Sequence, residues 1–74
     1  MNPKRIEMLQ IYDFTVPELN TFRELCNFSD AELEYFNLRA RHKSNVEIAM
    51  TMHVSEAQVS KLARKVKDKI KRIV

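Results

Sequence analysis

The residues best equipped for chemistry in this chain are cations. Lys61, Arg64, Lys65, Lys67, Lys69, Lys71 and Arg72 all fall between positions 61 and 72. A basic block of this kind suits a polyanion partner. It also suits a solvated terminal helix, whose C-terminal dipole Lys67, Lys69, Lys71 and Arg72 would complement. The charge is lopsided along the chain. Residues 1–38 sum to −4 and residues 39–74 to +7, for a total of +3.

Other chemistries lack their residues. His42 and His53 stand eleven apart and Cys26 is remote from both, so no metal-ligand spacing exists and no zinc site is expected. Asp30, Glu32 and Glu34 crowd a helix start, where acids favour the dipole without any acid–base role. No catalytic set emerges, so no enzyme and no cofactor are expected. The chain has no glycine at all. Phosphate-cradling Gly-rich loops, dinucleotide fingerprints and the G-x-S-x-G elbow are therefore excluded. Cys26 cannot form an internal disulfide, which fits a reducing cytosol, and it reads as a small core residue. Phe14, Phe22, Phe28 and Phe36 read as core aromatics. No apolar run approaches the roughly 20 residues needed to cross a bilayer, and MNPKRIEMLQIYDF is too polar for a signal sequence. A cytoplasmic protein with no membrane partner is the expectation.

The elements that must position the cations are helices. Ser or Thr followed three residues later by Glu or Gln satisfies two free N–H groups at a helix start. That pattern occurs at Thr15–Glu18, Ser29–Glu32, Ser44–Glu47 and Ser55–Gln58. Pro17 falls in a first turn, where its missing N–H costs nothing. Apolar periodicity then predicts four helices, at about 17–26, 30–41, 45–52 and 56–72. Their apolar faces are Leu19, Phe22, Leu25 and Cys26; Leu33, Phe36 and Ala40, with Tyr35 on a flank; Val46, Ile48, Ala49 and Met52; and Val59, Leu62, Ala63, Val66, Ile70 and Ile73. The expected fold is a small all-α bundle of one domain over 17–74. Residues 1–16 form an N-terminal extension. Within 1–14, Asn2-Pro3 opens a short helix through Ile6 and Leu9, or Ile11–Phe14 lies extended; Phe14 is placed to staple the first helix.

The third and fourth helices meet across a very tight turn, Met52-His53-Val54-Ser55. A helix-turn-helix needs a small residue where its second helix crosses its first, and Ala49 is there. Ile48, Met52, Val54, Val59 and Leu62 supply the apolar inner faces. The stretches F-S-D-A-E-L-E-Y-F, S-N-V-E-I-A and V-S-E-A-Q-V-S-K-L resemble the DNA-binding domains of bacterial sigma factor region four and of LuxR-type regulators, in the winged-helix-like superfamily. The resemblance covers about residues 28–70. A helix ahead of this core and the end of the sequence at Val74 fit region four more closely. The family often has Gly in the spacer, where this chain has His42-Lys43, and in the turn, where it has His53. His tolerates positive φ better than most residues, so His53 is expected at the corner, at positive φ.

The helix-turn-helix pattern implies double-stranded DNA as partner, with helix 56–72 in the major groove. Glu56, Ala57, Ser60, Lys61 and Arg64 are the expected base contacts. Gln58 is assigned to capping. Lys43, Ser44, Asn45, Lys65 and Arg41 are the expected phosphate contacts, with Arg39 a weaker candidate. The implied role is sequence-specific DNA binding in bacterial transcription, as a stand-alone regulator, a sigma-like factor or a prophage or mobile-element accessory. The competing role is a protein-interaction module, since region four also docks on RNA polymerase and the acidic N-terminal half suits a basic partner. A monomer or weak homodimer is expected.

Overall fold

The computed structural model describes residues 11–73. A 3-10 turn at Ile11–Asp13 leads into four helices: α1 (Val16–Leu25), α2 (Asp30–Ala40), α3 (Asn45–Met52) and α4 (Glu56–Ile73). The fold is the expected small all-α bundle, with element bounds within one residue of the periodicity.

The caps explain that agreement. At α1 the Glu18 N–H donates to Thr15 Oγ1 at 3.3 Å, and the Thr15 N–H donates back to Glu18 Oε1 at 2.8 Å. Ser29 and Glu32 repeat the exchange at α2, as do Ser44 and Glu47 at α3. The fourth cap is one-sided. The Gln58 N–H donates to Ser55 Oγ at 3.1 Å, but the Gln58 side chain does not return the bond. A neutral amide is a weaker acceptor than the carboxylates at the other three starts. Gln58 is therefore exposed and uncommitted rather than a capping partner.

Helix ends meet a harder constraint. Chains commonly leave a helix through one left-handed residue, for which glycine is the usual choice. Here Asn27 (φ 52°), His42 (φ 64°) and His53 (φ 58°) take that conformation after α1, α2 and α3. After α2, the His42 N–H donates to Arg39 O and the Lys43 N–H to Leu38 O. This is the paired reversed bonding of a Schellman ending.

The core is built around α4, which packs on α1, α2 and α3. Phe36, Ile48, Val59 and Val66 are its largest fully enclosed side chains, with Leu19, Phe22, Leu62 and Ile70 around them. Phe22, Phe36 and Cys26 are buried as expected, and Phe14 and Phe28 are partly buried against them. Burial pushes the Cys26 thiol up, although Lys69 pulls the other way, so it stays protonated. Phe14 packs on α1 edge-on to Phe22, centroids 4.9 Å apart.

Several expectations need correction. Leu25 and Val46 match the apolar period but are 57% and 52% exposed. Short helices bury only one stripe, and both residues fall at its edge. Tyr35 is buried rather than flanking. Ile11–Asp13 is a 3-10 turn rather than an extended segment. Ile11, assigned to the N-terminal extension, belongs to the core and packs on α2. The alternative helix through Ile6 and Leu9 lies outside the described residues. None of the described helices is long and apolar enough to cross a membrane.

Candidate nucleic-acid interface

The α3–α4 corner is fixed by its small residue and its left-handed one. Ala49 is buried, and Ile48 and Val59 are fully enclosed on the two helices that meet there. His53, at φ 58° and ψ 43°, reverses the chain. Its N–H donates to Met50 O at 3.4 Å, and the Val54 N–H donates to Ala49 O at 3.0 Å. Met52 and Val54 close against the core from either side. His53 stands at the corner with positive φ, as the sequence led us to expect.

With Val59, Leu62, Val66 and Ile70 turned inward, α4 presents a polar outer face. Glu56, Ala57, Ser60, Lys61 and Arg64 are all exposed on it. Among the described residues, Glu56, Ser60, Lys61 and Arg64 have no side-chain hydrogen bond or ion pair. At about 100° per residue, Ser60 and Arg64 share one flank with Lys67 and Lys71, whereas Lys61 and Lys65 turn to the other.

On the first flank a shallow groove of about 340 Å³ opens between α2, the start of α3 and α4. Its walls include Tyr35, Arg39, Asn45, Ser60, Arg64 and Lys67, with Lys71 and Asp68 toward the end of α4. The groove thus brings together Asn45, Ser60 and Arg64. It does not include Lys43, Ser44, Arg41 or Lys65, which are exposed elsewhere. Lys43 lies 3.9 Å from Glu47, an exposed i,i+4 pair. Hydrogen bonds from Ser44 hold the Glu47 carboxyl below the usual range, with a smaller pull from Lys43. Ser44 Oγ is occupied as a cap.

Two features of the groove extend the sequence reading, in which Arg39 is a weaker phosphate candidate. Lys67 and Lys71, which on sequence suit either a polyanion or the solvated end of the helix, share the flank of Arg64 by their spacing. Tyr35 and Arg39 come from another helix, so only the packing could bring them there. Arg39 is fixed in place: Nη1 donates to Lys43 O at 2.8 Å, and the guanidinium lies 5.4 Å from the Tyr12 ring centroid. Tyr12 in turn stacks on His42 at 4.0 Å. Burial pushes the Tyr35 phenol up, against the opposing pull of Arg39, so it remains neutral.

Lys69 has a different job from its neighbours. Its ammonium donates to Glu32 Oε1 at 2.5 Å and to Asn27 O at 3.1 Å. It ties α4 to the α1–α2 junction, with Phe28 6.0 Å away under the cation. Among the described residues, no group of His, Cys, Asp or Glu is arranged to hold a metal ion. Comparison with family models, curated proteins and solved structures yields no match.

Proposed function

We propose that this chain is a sequence-specific double-stranded DNA-binding protein acting in bacterial transcription, with α3 and α4 as a helix-turn-helix. On this proposal α4 enters the major groove. Glu56, Ala57, Ser60, Lys61 and Arg64 face base edges, while Asn45, Lys43, Ser44, Arg41 and Lys65 meet phosphates. One observation carries the proposal: Glu56, Ser60, Lys61 and Arg64 are exposed on the outer face of α4 and, among the described residues, make no side-chain hydrogen bond or ion pair, on a helix held from behind by a close, glycine-free corner. Lys69, which ties α4 to the α1–α2 junction, is engaged with Glu32. Lys61 and Arg64 are not. The resemblance to sigma region four and LuxR-type domains supports the same use of the motif.

The test is a duplex titration across salt concentrations. Affinity should fall linearly on a log–log plot with a slope of a few units, because each neutralised phosphate releases condensed counterions. No binding at 50 mM salt, or binding indifferent to salt, would rule the proposal out. Lys61→Ala with Arg64→Ala should weaken binding by about tenfold or more, since a good base contact contributes about 1–3 kcal/mol. Its helical circular dichroism should be unchanged, because both side chains are exposed. Selection of bound duplexes from a random pool would then read out the target sequence.

A further inference from the structure

We infer that the groove between α2 and α4 is a seat for one DNA phosphodiester strand, so that the strand runs along the Arg64–Lys67–Lys71 flank of α4. The inference rests on the DNA-binding proposal and adds residues and a direction to it. Its basis is the convergence of three independent elements on one groove. From α4 come Lys67 and Lys71, four residues apart and next along the flank from Arg64, which faces the bases. From α2 comes Arg39, at the same groove. From α3 comes Asn45 at the first helical position. There the Ser44–Glu47 box satisfies the Glu47 N–H and leaves the earlier first-turn N–H groups without an intrahelical partner.

The chemistry of each fits a phosphate oxygen. A guanidinium offers a planar fork of donors, an ammonium a point charge, and a helix start a positive dipole end. Arg39 is also preorganised: its bond to Lys43 O and its place over Tyr12 restrict it before any ligand arrives. Less side-chain freedom is then lost on binding. The groove is open rather than enclosed, and a strand needs only a trough. The groove lining carries a single carboxylate, Asp68. It faces the same trough and opposes a phosphate, which lowers affinity for any duplex regardless of sequence.

The seat also gives the complex a polarity. The turn end of α4, with Glu56 and Ala57, points at the bases, while the strand leaves toward Lys71. The footprint is therefore longer on the α2 side than base contacts alone require.

The experiment compares wild type, Lys67→Ala/Lys71→Ala and Asp68→Asn on one random-sequence duplex from 50 to 200 mM salt. Losing two phosphate contacts should reduce the log–log slope by about 1.8. The affinity loss should accordingly be about tenfold larger at 50 mM than at 200 mM salt. Asp68→Asn should bind more tightly than wild type at every salt concentration. Circular dichroism melts check folding, and Lys67→Gln/Lys71→Gln replaces the alanine pair if that pair melts early. If wild type shows a salt slope and both double variants keep it, the groove is not the seat, while DNA binding stands. If Asp68→Asn leaves affinity unchanged or lowers it, the trough does not face phosphate. If wild type itself does not bind at 50 mM salt, the DNA-binding proposal fails and this inference fails with it.

Discussion

His53 shows how a chain without glycine makes a tight corner. An L-residue in the left-handed region carries a steric penalty of about 1–2 kcal/mol. His53 accepts it at φ 58°, Asn27 at 52° and His42 at 64°. Asn is the milder choice, because its short polar side chain suits this region. The cost at His53 should be recoverable. His53→Gly removes the clash but gives the unfolded chain more freedom, which offsets part of the gain. A net stabilisation of about 0.5 kcal/mol, or about 2–4 °C in Tm, is expected for a domain of this size. Thermal melts followed by circular dichroism check it. A lower Tm in the variant would mean that the His53 side chain contributes contacts worth more than its backbone strain.

At the scale of elements, the α3–α4 corner depends on Ala49 being small. Ala49 is 7% exposed beside the fully enclosed Ile48 and Val59. Ala49→Leu should overpack the crossing and cost about 1–3 kcal/mol. Ala57→Leu, on the exposed outer face of the same pair, should change stability by no more than about 0.5 kcal/mol. Urea midpoints of the two variants measure the contrast, and equal midpoints would place the crossing elsewhere. Local signals were enough to find these elements. Cap boxes and a period of 3.6 locate four helices, and the inward face of α4 follows from Val59, Leu62, Val66 and Ile70. What those signals miss is relational. Periodicity cannot say that Val46 and Leu25 fall at the edge of their stripes, or that Tyr35 is covered. It cannot bring Arg39 of α2 to the flank of Arg64 on α4. It also cannot separate Lys69 from the basic block around it, because its partner Glu32 lies 37 positions away.

Across the whole molecule, that pair joins the acidic half of the chain to the basic half. Glu32 is buried, and its carboxylate accepts from both Lys69 Nζ and the Ser29 N–H. One acid therefore serves as cap for α2 and as anchor for the end of α4. The hydrogen bond from Lys69, then that from the Ser29 backbone, hold its carboxyl below the usual glutamate range. The sign of the consequence is fixed. A carboxyl depressed in the folded state adds stability in full above its unfolded value, about 4.3, and loses it as pH falls through the lower folded value. Glu32→Gln keeps the shape and cannot ionise. It should cost about 1–2 kcal/mol at pH 7, a range that allows for the partial exposure of Lys69. Below pH 4 the gap between wild type and variant should narrow, because wild type then loses the same charge. Urea midpoints for both proteins at pH 7, 5, 4 and 3 measure that gap directly. A gap that stays constant down to pH 3 would assign the stabilisation to shape and capping, and the charge on Glu32 would have no part in holding α4 against the α1–α2 junction.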